Sequence, residues 1–277
     1  VAQGSQNLFY QKCNNVVEAF TTLLHFCVFR PSMWVAILLL TATVLGAGAL
    51  VGVVPVARTT QWLKPMLAFS GAYLFALTIT HLLPEALALL PAHPHRVGYW
   101  VLAGFFGQLL LEVLSQGIEH GHVHAPEAQE RGHVPLLLLA ALVVHSLLEG
   151  SILLKSQAGE VSRNFYALVL GVALHHIPAA VALATLLRLR LGSPRRVWPW
   201  LGVFALASPI GLLFSNYVVL EQLLSTDAYA ALLGFVAGTF LHVSTTILFE
   251  TSPEHRLNWP KLGATLGGLL LALGVGS

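Results

Sequence analysis

The chain has 277 residues, of which 56% are hydrophobic and only 9% charged, against roughly 25% charged in soluble domains, so a water-soluble globule is excluded. Fourteen basic and 12 acidic residues leave a formal charge of +2, too little and too scattered for a nucleic-acid partner. Two cysteines, Cys13 and Cys27, exclude a disulfide framework or a thiolate cluster, so any metal falls to histidine and carboxylate.

Residues 1–32 are more polar than the rest and contain no apolar run of spanning length. Met33 opens directly into the first apolar run, so 1–32 reads either as an extension ahead of the native start or as a short amphipathic segment. Beyond it, stretches free of Asp, Glu, Lys and Arg fall at Trp34–Ala57, Pro65–Pro84, Val97–Leu111, Gly132–Leu148, Asn164–Leu187, Val197–Leu220, Ala228–Phe249 and Leu262–Ser277. A crossing takes about 20 apolar residues, so eight spans consume nearly all of 33–277 and leave one membrane domain. Leu, Ala, Val and Gly dominate without the alternation of a barrel strand, which predicts an all-α polytopic bundle in a lipid bilayer. The third and fourth runs reach spanning length if Glu112 and Glu149 face protein. Small residues at Gly46–Gly48 and Gly267–Gly268 predict close helix packing, and Pro91, Pro94, Pro126, Pro194 and Pro260 mark the edges of the runs.

Basic residues set the orientation. Nine lie on the side that holds Arg58, Lys64, Arg131 and the cluster from Arg188 to Arg196, against five on the other. That bias puts both chain ends outside a cell membrane (the inner membrane in a bacterium), and the His-bearing loop 116–133, with His120, His122, His124 and His133, in the cytoplasm. An echo between spans two and seven, Gly71-Ala72-Tyr73-Leu74 and Gly238-Thr239-Phe240-Leu241, pairs segments that run in opposite directions, as an inverted repeat requires.

Thirteen histidines stand out against so few charges, and His81, His145, His175, His176 and His242 lie inside spans. His145 and Glu149 are four residues apart, on one face of the fourth span. A carboxylate at that depth needs a cation, a proton or a partner. His175 and His176 occupy the middle of span five, and Pro178 frees a backbone carbonyl one turn earlier. Imidazole and carboxylate from two helices suit zinc and related first-row divalent ions. His242 lacks a second ligand at i+4 other than Thr246 and reads as a buried hydrogen-bonding residue, a weaker metal candidate.

His145-Ser146-Leu147-Leu148-Glu149-Gly150 matches H-[NS]-x-x-[ED]-G, and His175-His176-Ile177-Pro178-Ala179-Ala180 is similar to a polar pair followed by x-P-E-G. With Leu82–Ala86 and Gly238–Leu241, these motifs resemble the ZIP family of divalent metal transporters over Met33–Ser277. Ala179 stands where that family carries a glutamate bridging two ions, and Ser208-Pro209-Ile210-Gly211 resembles E-P-x-G with serine for a second carboxylate. The resemblance implies a first metal position at His145, Glu149 and His175, and a charge-depleted second one facing His176 and Ser146, with Ser208 nearby. It also implies that spans 1, 4, 5 and 6 move against spans 2, 3, 7 and 8.

The resemblance implies uptake of divalent metal toward the cytoplasm, zinc first, with cadmium, iron, manganese, cobalt and nickel also compatible with the ligands. No cofactor beyond the transported ion is expected, and a homodimer is one assembly the sequence allows. A rival reading is an intramembrane metal-dependent hydrolase using the same His/Glu site, although the H-E-x-x-H and G-x-S-x-G patterns of hydrolases are missing from the sequence. A metal-responsive sensor without transport is a third.

Overall fold

The computed structural model describes residues 31–54, 56–115, 133–153, 163–220, 225–249 and 259–276. The expected extension 1–32, apart from its last two residues, and the His-bearing loop, apart from exposed His133, lie outside the described residues. Every regular element among those described is helical: α1 (Pro31–Val53), α2 (Val56–Leu77, continued by a π-helical turn at Thr78–Leu82 and a last stretch Leu83–Leu89), α3 (Pro94–Ser115), α4 (Leu136–Ser151), α5 (Arg163–Leu191), α6 (Pro194–Leu220), α7 (Thr226–Phe249) and α8 (Trp259–Gly276). Six of these are long and apolar enough to cross a membrane; α4 and α8 are apolar but shorter.

Local chemistry explains where the helices depart from the charge-free runs. Pro84 does not end α2, because the preceding turn widens to i→i+5 bonding, with the Leu83 N–H donating to the Thr78 carbonyl. The helix therefore runs on past Glu85 to Leu89. In α3, Arg96 and Glu112 fall within the helix, since a terminal charge can reach toward a partner or water while the backbone stays bonded. Pro94 and Pro194 open α3 and α6 at the first helical position, where the missing N–H costs nothing. Helix α5 ends at Leu191 because Gly192 turns to φ 64° and its N–H donates to the Arg188 carbonyl, 3.0 Å away.

The packing has an internal symmetry. Exchanging α1, α2 and α3 for α6, α7 and α8, and α4 for α5, turns the packed pair α3–α7 into α8–α2, α4–α6 into α5–α1, and α3–α4 into α8–α5. The pairs α1–α6 and α2–α7 map onto themselves. Exchanged helices differ by an odd number of places in the series, and the start of α7 meets the end of α2 through the Tyr229–Glu85 hydrogen bond, so the halves run in opposite senses. Helix α5 departs from the pattern by also packing on α2 and α6, which makes it the central and most enclosed helix.

Among the described residues, backbone approach is closest at five glycines. A Cβ on Gly104 would overlap the Phe235 carbonyl, one on Gly238 the Val101 carbonyl, one on Gly268 the Phe69 carbonyl, and Gly150 and Gly211 meet the Ser208 and Leu147 carbonyls. Without a hydrophobic driving force between helices in lipid, such small-residue contacts carry the packing. The sequence expectation holds for Gly268 but not for Gly46, which faces open space, while Gly48 meets only side chains of α6.

Two apolar clusters divide α5 lengthwise. One takes Phe165 to Ala173 and packs them with Tyr73, Leu74 and Phe240; the other takes Ala179 to Leu187 with Val44, Leu142 and Phe204. His175 and His176 occupy the gap between them.

Candidate metal centre

The polar residues of α4 and α5 meet in that gap. His145 and Glu149 project from one face of α4, and both are buried, as are Ser146, His175 and His176. His145, Glu149 and His175 each offer one ligand atom, and these atoms lie within 4.8 Å of one another. His145 Nε2 is 3.3 Å from Glu149 Oε1. Tetrahedral zinc with bonds of about 2.0–2.1 Å separates its ligand atoms by roughly 3.3 Å, so this pair already has the spacing of two zinc ligands. The His145 and His175 rings stand edge to face with centroids 5.9 Å apart.

The remaining polar atoms hold these groups in place. Glu149 Oε2 accepts a hydrogen bond from His176 Nε2 at 2.8 Å, and Ser146 Oγ lies 3.3 Å from the same nitrogen. His176 thus contacts the carboxylate from α5 while lying outside the three converging atoms. His145 Nδ1 is 2.9 Å from Gln108 Oε1 on α3. Leaving a carboxylate between imidazoles in an apolar shell costs several kcal/mol unless positive charge balances it, and a divalent cation does so directly.

The other sequence candidates fall elsewhere. Ser208 is buried on α6, where its carbonyl abuts Gly150 of α4, which puts α6 beside the site through backbone contact. Ala179 is buried one turn beyond His175. His242 pairs with Glu112 of α3 at 2.6 Å and stacks edge to face on Phe105, apart from the three-ligand group. His81 bonds the Thr80 hydroxyl, and Glu85 accepts from Tyr229 at 3.1 Å. Sequence reasoning missed Gln108; the only available signal was a lone amide in the otherwise apolar run from Val97 to Leu111.

A family profile described as ZIP Zinc transporter matches residues 120–276, more than half of the chain and including both motif helices. The chain belongs to the ZIP zinc transporter family. Among curated relatives, zinc transporter ZIP9 of Xenopus tropicalis is 32% identical over 183 residues, covering 62% of this chain and 58% of the relative. Zinc transporter ZIP9 of Micropogonias undulatus is 32% identical over 160 residues, covering 54% and 49%. Zinc transporter ZIP1 of Takifugu rubripes is 29% identical over 140 residues, covering 50% and 44%. The chain thus spans no more than about three-fifths of the length of these relatives. Family membership and the apolar helices make this ZIP protein a multi-pass membrane protein. Its named relatives are transporters, and the hydrolase expectation finds no support.

Proposed function

We propose that this chain carries divalent metal ions, zinc above all, across the membrane toward the cytoplasm through His145, Glu149 and His175. The observation that carries the reading is the convergence of three buried ligand atoms from two helices within 4.8 Å, at the junction of two apolar clusters. The zinc transporters to which the chain is similar add independent support.

An arriving ion exchanges hydrating water for His145 Nε2, a Glu149 oxygen and a His175 nitrogen. The carboxylate supplies the one formal negative charge of this set, so a divalent ion keeps a net positive charge there. That residual charge favours binding too loose to trap the ion, as a carrier needs. Protons compete for the same nitrogens and oxygens and so assist release. Outward-facing chain ends rest on the basic residues beside the loops, Arg188 to Arg196 foremost, while inward transport follows the resemblance to the ZIP family. The position near His176 and Ser146 is a weaker station, because Ala179 and Ser208 add no charge to it.

Purified protein reconstituted into vesicles with a trapped zinc indicator tests this reading. Zinc entry above that of protein-free vesicles supports a carrier. Zinc binding without entry would leave a sensor, and the transport reading would fall.

A further inference from the structure

Gln108 is wholly buried on α3, and its Oε1 lies 2.9 Å from Nδ1 of His145. We propose that Gln108 is a positioning residue that fixes both the rotation and the tautomer of His145, so that Nε2 presents its lone pair to the ion. The inference rests on the reading of His145 as a metal ligand.

The chemistry runs from the amide outward. A neutral imidazole carries one N–H, and an amide oxygen only accepts, so the bond at 2.9 Å requires the proton on Nδ1. Nε2 is then bare, and it is the atom 3.3 Å from Glu149 Oε1. A lone pair and a carboxylate oxygen facing each other repel, and a cation between them turns both contacts favourable. Among the neutral forms of His145, Gln108 thus selects the one whose Nε2 lone pair is free to ligate. Metal-bound histidines regularly have their second nitrogen held in this way, and losing the partner weakens metal affinity by about 10- to 100-fold.

The helix that presents Gln108 is itself fixed. One turn further along the same face of α3, Glu112 is held by His242 of α7 at 2.6 Å. One turn earlier, Gly104 brings the α3 backbone against the Phe235 carbonyl of α7, and Gly238 closes the reciprocal contact at Val101. The amide is therefore held from the α3–α7 pair, while its target rides on α4, whose closest backbone contacts are with α6 at Gly150 and Gly211. A neutral amide orients His145 without adding a second negative charge to the site, which a carboxylate at this position would do.

Three variants and one spectrum test the proposal. Gln108→Met keeps the volume and loses the acceptor; Gln108→Glu keeps the acceptor. Zinc affinity of the purified full chain, measured by titration, should fall about 10- to 100-fold in Gln108→Met and be retained or strengthened in Gln108→Glu. A packing role would leave Gln108→Met at wild-type affinity, and that result overturns the proposal. Nitrogen NMR of ¹⁵N-histidine-labelled wild type, with His145 assigned through His145→Ala, reads the tautomer without touching Gln108. A protonated Nδ1 with a bare Nε2 in the zinc-free protein supports the proposal, and a protonated Nε2 overturns it. His145→Ala separates the two levels: if it binds zinc as wild type does, the metal-site reading itself is wrong, whereas its loss alongside an unaffected Gln108→Met removes only the positioning role.

Discussion

Glu149 is shared between two histidines on different helices, one oxygen 3.3 Å from His145 Nε2 on its own helix and the other 2.8 Å from His176 Nε2 on α5. On the proposed function the two histidines have different tasks. His145 and the facing oxygen converge with His175 to hold the ion, and His176 steadies the carboxylate. Alanine at His145 or Glu149 should therefore reduce zinc binding beyond detection. Alanine at His176 should weaken it by about 10- to 100-fold, the usual loss when a ligand's hydrogen-bonding partner is removed. Titration of each purified variant checks the ranking, and equal losses at all three positions would place His176 among the ligands.

Protons should compete with the ion. Histidine ligates when neutral and glutamate when ionised, so lowering the pH removes ligands and affinity falls; raising it restores them. Isothermal titration at neutral and mildly acidic pH checks the sign. An affinity that does not change would mean that other groups hold the ion.

Close helix contact makes an unequal prediction for two glycines. Gly211→Ala places a methyl group on the Leu147 carbonyl and should destabilise the protein by about 1–3 kcal/mol, the usual cost of overpacking. Gly46→Ala faces open space and should leave stability unchanged or slightly raised. Thermal unfolding in detergent compares the two. A neutral Gly211→Ala would mean that α4 and α6 can separate without loss.

Much of this organisation was legible in the sequence, for specific reasons. Glu149 announced itself because a carboxylate is costly in an apolar run, and His145 because it stands one turn away. The packing exchanges α2 with α7, as the span 2 and span 7 echo requires, but Gly71 meets Ile247 of α7 and Gly238 the Val101 carbonyl of α3, so the echoing glycines themselves are not equivalent in it. Gln108 escaped because a neutral amide leaves no mark in a search for charge, and its importance appears only when α3 is set beside α4. The glycines were ambiguous for the same reason: Gly46 and Gly268 look alike in sequence, and only the neighbouring helix separates open space from a carbonyl. The continuation of α2 past Pro84 depended on a π-helical turn that no local residue pattern specifies.

Charge at the second position predicts ion number. Two divalent ions a few ångströms apart repel strongly unless negative charge lies between them. Ala179 is buried one turn beyond His175, so Ala179→Glu should add a bridging carboxylate and convert one bound zinc to two. Anomalous scattering from zinc-soaked crystals counts the ions. Two fully occupied sites in the unmodified protein would refute the single-ion reading.

The most direct test of the central claim is zinc flux into vesicles carrying equal amounts of folded wild type or Glu149→Ala, measured in the same preparation. The account predicts saturable zinc entry for the wild type and entry no faster than protein-free vesicles for Glu149→Ala. Wild-type flux through the Glu149→Ala protein would contradict it.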